Sequence, residues 1–264
     1  MNTLLEKKAG REGKVIPFRY DRKRITPGIL HIGVGNFHRA HEEFYTNVLL
    51  ADPEQNRWGI CGAGLLPGDG FLFKALQGQD NLYTLTICGR DGRNEVYEIG
   101  SLVEFVWGVE DPATVIERIA DRNIKIITLT ITEGGYNIDK ATGEFMLEEE
   151  AIQHDLKNPE HPQTVFGFLA AGLRRRRNSG SGPVTVLSCD NLQHNGDTTK
   201  KAFASFIAAQ DAGLADWVAE NVTFPNSMVD RITPVVTPSD RDRLNRENRT
   251  EDAAPVYCED YIQW

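Results

Sequence analysis

The feature that most constrains the fold of this chain is a pair of glycines placed directly after an apolar run near its start. The run begins at Gly28 and is typical of a buried strand. Gly33 and Gly35 interrupt it, and a helical pattern follows over residues 39–50. Strand, glycine turn and helix in this order let an anion approach the backbone and the helix N-terminus. They predict a nucleotide-binding turn, although a glycine pair after a strand is often only a turn, and His38 stands where a third glycine is usual.

Composition and charge favour a soluble α/β protein. The 264 residues are 40% hydrophobic and 25% charged, which fits one large domain, or a domain and a half, with an ordinary core. A net charge of −9 argues against nucleic acid or an anionic membrane as partner, because both attract basic surfaces. No apolar run reaches the length of a membrane span, and the polar start is unlike a signal peptide. The four cysteines lack Cys-x-x-Cys spacing, so we expect buried thiols and a cytoplasmic location.

Strand and helix patterns alternate along the rest of the chain, which predicts a doubly wound, mostly parallel sheet of the Rossmann type. Strands are expected at 58–65, 125–132 and 184–188, and helices at 71–77, from Asp111-Pro112 onwards, at 164–177 and at 198–209. Residues 83–99 alternate with period two around a glycine turn, which predicts a β-hairpin insertion. The four arginines at 174–177 are expected to be a solvated helix end. Residues 1–27 form a polar lead-in, and 28–250 the nucleotide-binding domain.

Polar loops follow the predicted strands, and in an open parallel sheet these strand ends form the ligand crevice. Thr132 and Glu133 lie where one strand runs into a glycine-rich loop, and Asn191 lies in the polar loop after the next strand. Asp69 follows the strand at 58–65 and has two open interpretations. It is either a turn or N-cap residue, or the carboxylate that binds the adenosine ribose. In the second role it would repel a 2′-phosphate and favour NAD over NADP.

Two other patterns in the sequence would indicate a different kind of site, a short-chain dehydrogenase pair or a zinc centre. Tyr136 and Lys140 have the Tyr-x-x-x-Lys spacing of short-chain dehydrogenases, but that pair must share one face of a helix, and Gly134 and Gly135 precede it. The histidines lack zinc-ligand spacing apart from the nearby His38 and His41. We therefore predict neither a short-chain catalytic pair nor a metal site.

Four motifs occur in one order along the chain: GVGNFHRAH at 33–41, TITEGGY at 130–136, SCDNLQHNG at 188–196 and MVDRITP at 228–234. Through them, residues 28–264 resemble the polyol-specific long-chain dehydrogenase/reductase family, and within it the mannitol 2-dehydrogenases. The resemblance implies NAD(P)-dependent, metal-independent hydride transfer between a sugar polyol and a ketose. D-mannitol and D-fructose are the expected pair, and a related hexuronate reductase of the fructuronate or tagaturonate type is the alternative.

The resemblance also implies roles for individual residues. NAD should contact Ile32, Gly33, Val34, Gly35, Asn36, Phe37, His38, Arg39, Asp69, Thr132, Glu133, Asn191 and Val229. The predicted catalytic residues are Asn191, which should bind the reacting oxygen, and Asp230, which should line the nicotinamide end together with Val229.

One element of the family pattern does not occur in this chain. The family's general base is a lysine in a Lys-x4-Asn-x2-His motif of a helical C-terminal domain, and no lysine follows Lys201 here. We expect residues 251–264 to begin the connection to such a domain, and the chain by itself to be inactive. The alternative is a non-catalytic dinucleotide-binding module, which the lack of a base favours and the Asn191 loop opposes.

Overall fold

The structure is a computed structural model that describes residues 15–264. Its strands are β1 (Val15–Ile16), β2 (Pro27–Ile32), β3 (Gly59–Gly64), β4 (Tyr83–Cys88), β5 (Asn94–Ile99), β6 (Leu102–Trp107), β7 (Ile126–Leu129), β8 (Val184–Ser188), β9 (Val222–Thr223) and β10 (Val256–Glu259). Its α-helices are α1 (Asn36–Ala40), α2 (Glu42–Leu49), α3 (Gly70–Gln77), α4 (Pro112–Ala120), α5 (Glu150–Lys157), α6 (Val165–Ser179), α7 (Asn195–Gln210), α8 (Ala212–Asn221) and α9 (Pro238–Asn248). None of these helices is long and apolar enough to cross a membrane.

The predicted doubly wound sheet is confirmed. Six parallel strands pair in the order β6-β3-β2-β7-β8-β9, and β2, which comes first of the six in the chain, lies in the middle. This is the strand order of dinucleotide-binding folds, in which the chain direction across the sheet reverses between the first and fourth strands. Here the reversal lies between β2 and β7, and it opens a crevice at their carboxyl ends.

Both faces of this sheet are buried, as is usual for parallel strands. On one face, Leu30 and Ile32 pack with α4, α6 and α7 in a large apolar core. On the other, Ile29 and Ile60 pack with α3 and with a second sheet, which is formed by β1, β5, β4 and β10. Alternation along β2 therefore sends successive side chains into two separate cores, and His31 takes a fully buried position between two core residues.

The predicted hairpin insertion is also confirmed, as β4 and β5 pair antiparallel from Tyr83 opposite Ile99. The hairpin gains a parallel strand at each edge, β1 beside β5 and β10 beside β4. Residues 251–264, predicted as a connection, thus contribute β10, whose Val256 and Cys258 are buried. Of the predicted lead-in 1–27, residues 1–14 lie outside the described residues, and the rest contains β1, a turn and the first residue of β2.

Two details of the sequence interpretation were wrong. The helix expected over 39–50 begins at Asn36 and is divided into α1 and α2 at His41, whose backbone leaves helical geometry and whose Nε2 lies 2.6 Å from the Gln263 carbonyl. The break thus coincides with a contact between residues that are far apart in the sequence, and the local pattern does not predict it.

The arginine run is the second detail. Arg176 is fully buried, not solvated. Its guanidinium donates to five carbonyl oxygens, those of Ile119, Asp121, Ile124, Gly182 and Pro183.

Candidate active site

The glycine turn joins β2 to α1 at the crevice. Gly33 has φ +101°, and a Cβ atom there would lie 2.1 Å from the Thr130 carbonyl oxygen, so only glycine fits. Gly35 is extended at φ −140°. A Cβ atom on Gly35 would meet nothing closer than the Gly33 carbonyl oxygen at 3.7 Å. The fold itself therefore requires the first glycine, while the second leaves open space in front of the backbone.

Two cavities lie side by side at this edge of the sheet. The first, of about 540 Å³, lies between the loops after β3 and β7 and the start of α6. The second, of about 390 Å³, lies between the glycine turn, the loop after β8 and residues 229–231. Gly33, Thr130 and Thr132 belong to the walls of both cavities. An elongated ligand that crosses the glycine turn would therefore occupy both.

Most predicted site residues line these cavities. The first contains Ile32, Gly33, Val34, Asp69 and Thr132. The second contains Gly33, Gly35, Asn36, Phe37, His38, Thr132, Asn191, Val229 and Asp230. Thr130, Cys189, Asp190 and Arg231 also line the second cavity; they lie in the family motifs, but the sequence predicted no individual site role for them. A usable signal existed for Asp190, an acidic residue almost directly after a parallel strand.

Arg39 and Glu133 were predicted to bind the cofactor, and the structure turns both side chains elsewhere. Arg39 is buried, and its guanidinium donates to the Ala254 carbonyl at 2.5 Å and to Asn36 Oδ1 at 2.7 Å. Its charge serves the packing beneath the turn and does not reach either cavity. Glu133 is exposed and lies 3.0 Å from Lys140 Nζ.

Tyr136 and Lys140 do not form the catalytic pair that the Tyr-x-x-x-Lys spacing would indicate. Tyr136 ends a 3₁₀ turn and is buried, whereas Lys140 is exposed and lies outside any helix. Burial raises the pKa of Tyr136, and the charge of Asp190 raises it further. The phenol therefore stays protonated, and it is not paired with the lysine.

Asp69 has the turn role that the sequence offered, and its position in the cavity wall leaves the ribose-binding role a prediction. It ends the 3₁₀ turn Pro67–Asp69 after β3, and its Oδ2 accepts from Leu66 N at 2.8 Å. It is only half-buried and lines the first cavity. One oxygen thus fixes the turn, and the carboxylate adds negative charge to the cavity wall.

Buried polar contacts hold the far wall of the second cavity. Asn195 Oδ1 accepts from Ser227 N at 2.9 Å, and Ser227 Oγ donates to the Ser188 carbonyl at 2.5 Å. These bonds bring the segment with Val229 against the end of β8. Asn191 is exposed, and its side-chain amide makes no hydrogen bond within residues 15–264. That amide is free to meet a ligand.

A buried cluster of two histidines and two glutamates lies beneath the glycine turn. His38 Nδ1 lies 3.1 Å from Glu42 Oε2, and its Nε2 lies 3.0 Å from Glu43 Oε1. The His38 ring stacks on that of His31 at 3.3 Å. His31 Nδ1 is 2.8 Å from Thr128 Oγ1, which donates to Glu42 at 2.9 Å. The cluster joins the central strands to α1 and α2.

Charges in the cluster follow from this geometry. Burial alone lowers the pKa of His38, but the charge of Glu43 and the contact with Glu42 raise it to about 9. Burial lowers the pKa of His31, and the charge on His38 lowers it further. Burial alone raises the pKa of Glu42, but its contacts with both histidines reverse the direction and lower it. At neutral pH His38 is therefore a cation beside an ionised Glu42, and His31 is neutral.

Stacking decides whether this cluster suits a metal ion. Among the described residues, ligand atoms of His31, His38 and Glu42 lie within 4.8 Å of one another. An imidazole nitrogen binds a metal in the plane of its ring, but these two rings are parallel to within 7° and 3.3 Å apart. No point between them lies in both planes. The arrangement suits an ion cluster better than a metal centre.

Residues 27–264 match the family model described as the mannitol dehydrogenase Rossmann domain. The polyol:NADP oxidoreductase of Gluconobacter oxydans is 46% identical over 93% of this chain and 50% of its own length. The mannitol 2-dehydrogenase of Cereibacter sphaeroides is 45% identical over 93% of this chain and 51% of its own length.

Solved structures that resemble this chain are also polyol dehydrogenases. The Pseudomonas fluorescens mannitol 2-dehydrogenase, in a ternary complex with NAD and D-mannitol, is 45% identical with a TM-score of 0.92, covering 95% of this chain and 51% of that one. A substrate-free D-sorbitol dehydrogenase is 44% identical with a TM-score of 0.92, covering 100% of this chain and 54% of that one. The chain thus spans about half the length of these relatives. By its sequence match and its fold, the chain belongs to the mannitol dehydrogenase Rossmann domain family.

Proposed function

We propose that this chain binds NAD(H) across the two cavities and forms the cofactor half of a polyol dehydrogenase. The observation that carries this function is the meeting of both cavities over the glycine turn, at the point where the strand order reverses. A 45% identical protein solved with NAD and D-mannitol supports the same ligand.

In this proposal, each part of NAD contacts a different part of the two cavities. The adenosine would occupy the first cavity, with Asp69 at the ribose hydroxyls. The pyrophosphate would cross Gly33 and Gly35, where the open space at Gly35 leaves the backbone accessible. The nicotinamide would lie in the second cavity between Val229 and Asn191.

The bound nicotinamide supplies or accepts the hydride at a secondary alcohol carbon or its ketone. The free amide of Asn191 would donate a hydrogen bond to the reacting oxygen, where negative charge develops. Asp230 would add a carboxylate to the wall beside it. D-mannitol and D-fructose are the substrates we propose, because the relatives named above act on mannitol or on polyols.

We propose further that these 264 residues bind NADH without turning substrate over. Alcohol oxidation needs a base within reach of the hydroxyl proton. In the second cavity, His38 is buried between two carboxylates, and Asp190 accepts three hydrogen bonds. Neither is free to act as that base, which leaves the exposed Asp230 as the one carboxylate of this cavity that the turnover assay tests. The relatives are about twice as long as this chain, and no lysine follows Lys201 in it, although the family resemblance implies a lysine as the base.

Fluorescence titration with NADH tests the binding site, and absorbance at the NADH band with D-fructose, D-mannitol or a hexuronate tests turnover. We expect saturable NADH binding and background rates. In a longer protein that contains these residues and turns substrate over, Asn191→Ala should lower kcat by ~10²–10³ and leave NADH affinity nearly unchanged, because its amide would bind the reacting oxygen. Failure to bind either NADH or NADPH would overturn the cofactor site, and robust turnover would overturn the need for further residues.

A further inference from the structure

Asp190 connects the two loops that face each other across the crevice. Its Oδ1 accepts from Thr132 N at 2.9 Å, and its Oδ2 accepts from Ile131 N at 3.0 Å. The Tyr136 hydroxyl donates to the same Oδ2 at 2.7 Å. One carboxylate at the end of β8 thus binds three donors from the loop after β7.

The residue held by this carboxylate has an unfavourable backbone. Thr132 has φ +64° and ψ 166°, a region that is nearly restricted to glycine. Its β-branched side chain makes the conformation more costly still. Such a residue persists only where its surroundings hold it, and it relaxes when they do not. Hydrogen bonds that the backbone N–H groups of Ile131 and Thr132 donate to the Asp190 carboxylate supply that restraint.

Thr132 also lies where the two cavities meet. It is exposed and lies in the wall shared by the two cavities, beside Gly33. Asn191 follows Asp190 directly in the chain and lines the second cavity. A movement of the Asp190 carboxylate would therefore shift both loops where a ligand crosses from one cavity to the other.

Tyr136, which donates to the Asp190 carboxylate, is buried and has a second contact with β8. Tyr136 is 1% exposed, and its hydroxyl also lies 2.6 Å from Ser188 Oγ on β8. Because the phenol stays protonated, it donates to the carboxylate at all physiological pH values. The Asp190 carboxylate thus accepts from the buried Tyr136 hydroxyl on one side and from the Thr132 backbone at the cavity wall on the other.

We propose that Asp190 is a positioning residue that keeps Thr132 in its left-handed conformation and thereby sets the width of the crevice at the middle of the bound dinucleotide, a role that rests on the cofactor site proposed above. Asp190 does not act on the reacting atoms. It acts through the backbone of Thr132 and through the position of Asn191.

The decisive experiment is a double-mutant cycle read by NADH titration and by thermal unfolding of the same samples. Asp190→Asn removes the charge and one acceptor, and should raise the Kd for NADH about tenfold, the effect of losing a hydrogen bond to a charged group. Thr132→Gly permits the same backbone without strain. Added to Asp190→Asn, it should recover most of that loss in affinity, because the loop no longer has a reason to relax.

Asp139→Asn is the matched control. Asp139 also holds its own loop, accepting from Ala141 N at 2.9 Å and Thr142 N at 2.7 Å, but it lines neither of the two cavities. It should leave the Kd for NADH within about twofold of the wild type. A purely structural role for Asp190 predicts the same pattern as this control, a lower Tm with unchanged affinity.

The results distinguish the cofactor site from the positioning role of Asp190. Wild-type protein that does not bind NADH removes the cofactor site itself. Wild-type binding with unchanged affinity in Asp190→Asn, or no recovery on adding Thr132→Gly, overturns the positioning role alone. If Asp190→Asn does not fold, Thr132→Gly by itself remains decisive, because release of strain should raise Tm by about 2–4 °C. An unchanged or lower Tm would show that Thr132 is not strained and would also overturn the role.

Discussion

At the scale of single residues, Gly33 is required by the fold, whereas Gly35 is expected to be required only by the ligand. Gly33→Ala places a Cβ atom 2.1 Å from the Thr130 carbonyl at φ +101° and should lower the free energy of unfolding by at least about 1–3 kcal/mol. Gly35→Val should fold with nearly wild-type Tm and lose NADH binding, because its side chain would fill the space left for the pyrophosphate. Thermal melts and NADH titrations measure both effects. A folded Gly35→Val protein that binds NADH normally would place the cofactor elsewhere.

Asp69 should decide between the two nicotinamide cofactors. Asp69→Asn keeps an acceptor for Leu66 N and removes the charge that a 2′-phosphate would meet. We expect the wild type to prefer NADH and the variant to narrow the ratio of the NADPH and NADH Kd values about tenfold, with NADH binding retained. Asp91→Asn, an exposed carboxylate in the distant hairpin turn, is the control. Equal or tighter NADPH binding by the wild type would contradict this role.

His38 should make stability depend on alkaline pH. Its pKa is raised from 6.5 to about 9 in the folded chain. The folded state therefore gains stability from the proton fully below pH 6.5, and it loses this contribution as pH rises through about 9. His38→Gln should cost on the order of a few kcal/mol near pH 6.5 and much less above pH 9. Urea unfolding of both proteins across this range measures the difference, and a cost that does not change with pH would refute it.

At the scale of elements, Arg176 ties helices to strands at the amino-terminal edge of the main sheet. It donates to carbonyls of the α4–β7 connection and of the α6–β8 connection. Arg176→Ala leaves these buried carbonyls without partners and should cost at least about 3 kcal/mol. The adjacent Arg175→Ala loses only an exposed contact with Glu117 at 3.4 Å and should cost less than ~0.5 kcal/mol. Similar losses for the two variants in denaturant unfolding would contradict this assignment.

Element positions were largely predictable because they depend on local patterns. The strand at 184–188 and the N-cap of α4 at Asp111, which accepts from Thr114 N at 3.0 Å, are as expected. Interactions between distant residues produced the exceptions. His41 breaks the first helix through Gln263, and Arg176 is buried by carbonyls that no local pattern reveals.

At the scale of the whole molecule, the second sheet assembles from distant parts of the chain. Its hairpin comes from the middle, and its edge strands come from the two ends of the described range. Buried Arg39 and Arg231 join these parts to α1, through the carbonyls of Ala254 and Ala40 at 2.5 Å each. The glycine turn therefore rests on contacts that span the chain, and the buried guanidinium of Arg39 is part of them.

The sequence by itself determined the doubly wound sheet, the hairpin, the glycine turn and most cavity residues, because strand periodicity, turn glycines and strand-end loops are local properties. Only the tertiary structure decided the orientation of Arg39 and Glu133, the ion cluster around His38 and the hold of Asp190 on Thr132. Each of these depends on which distant donor or acceptor a polar side chain meets. Burial makes such pairing obligatory, but the partner is chosen by how the whole chain packs.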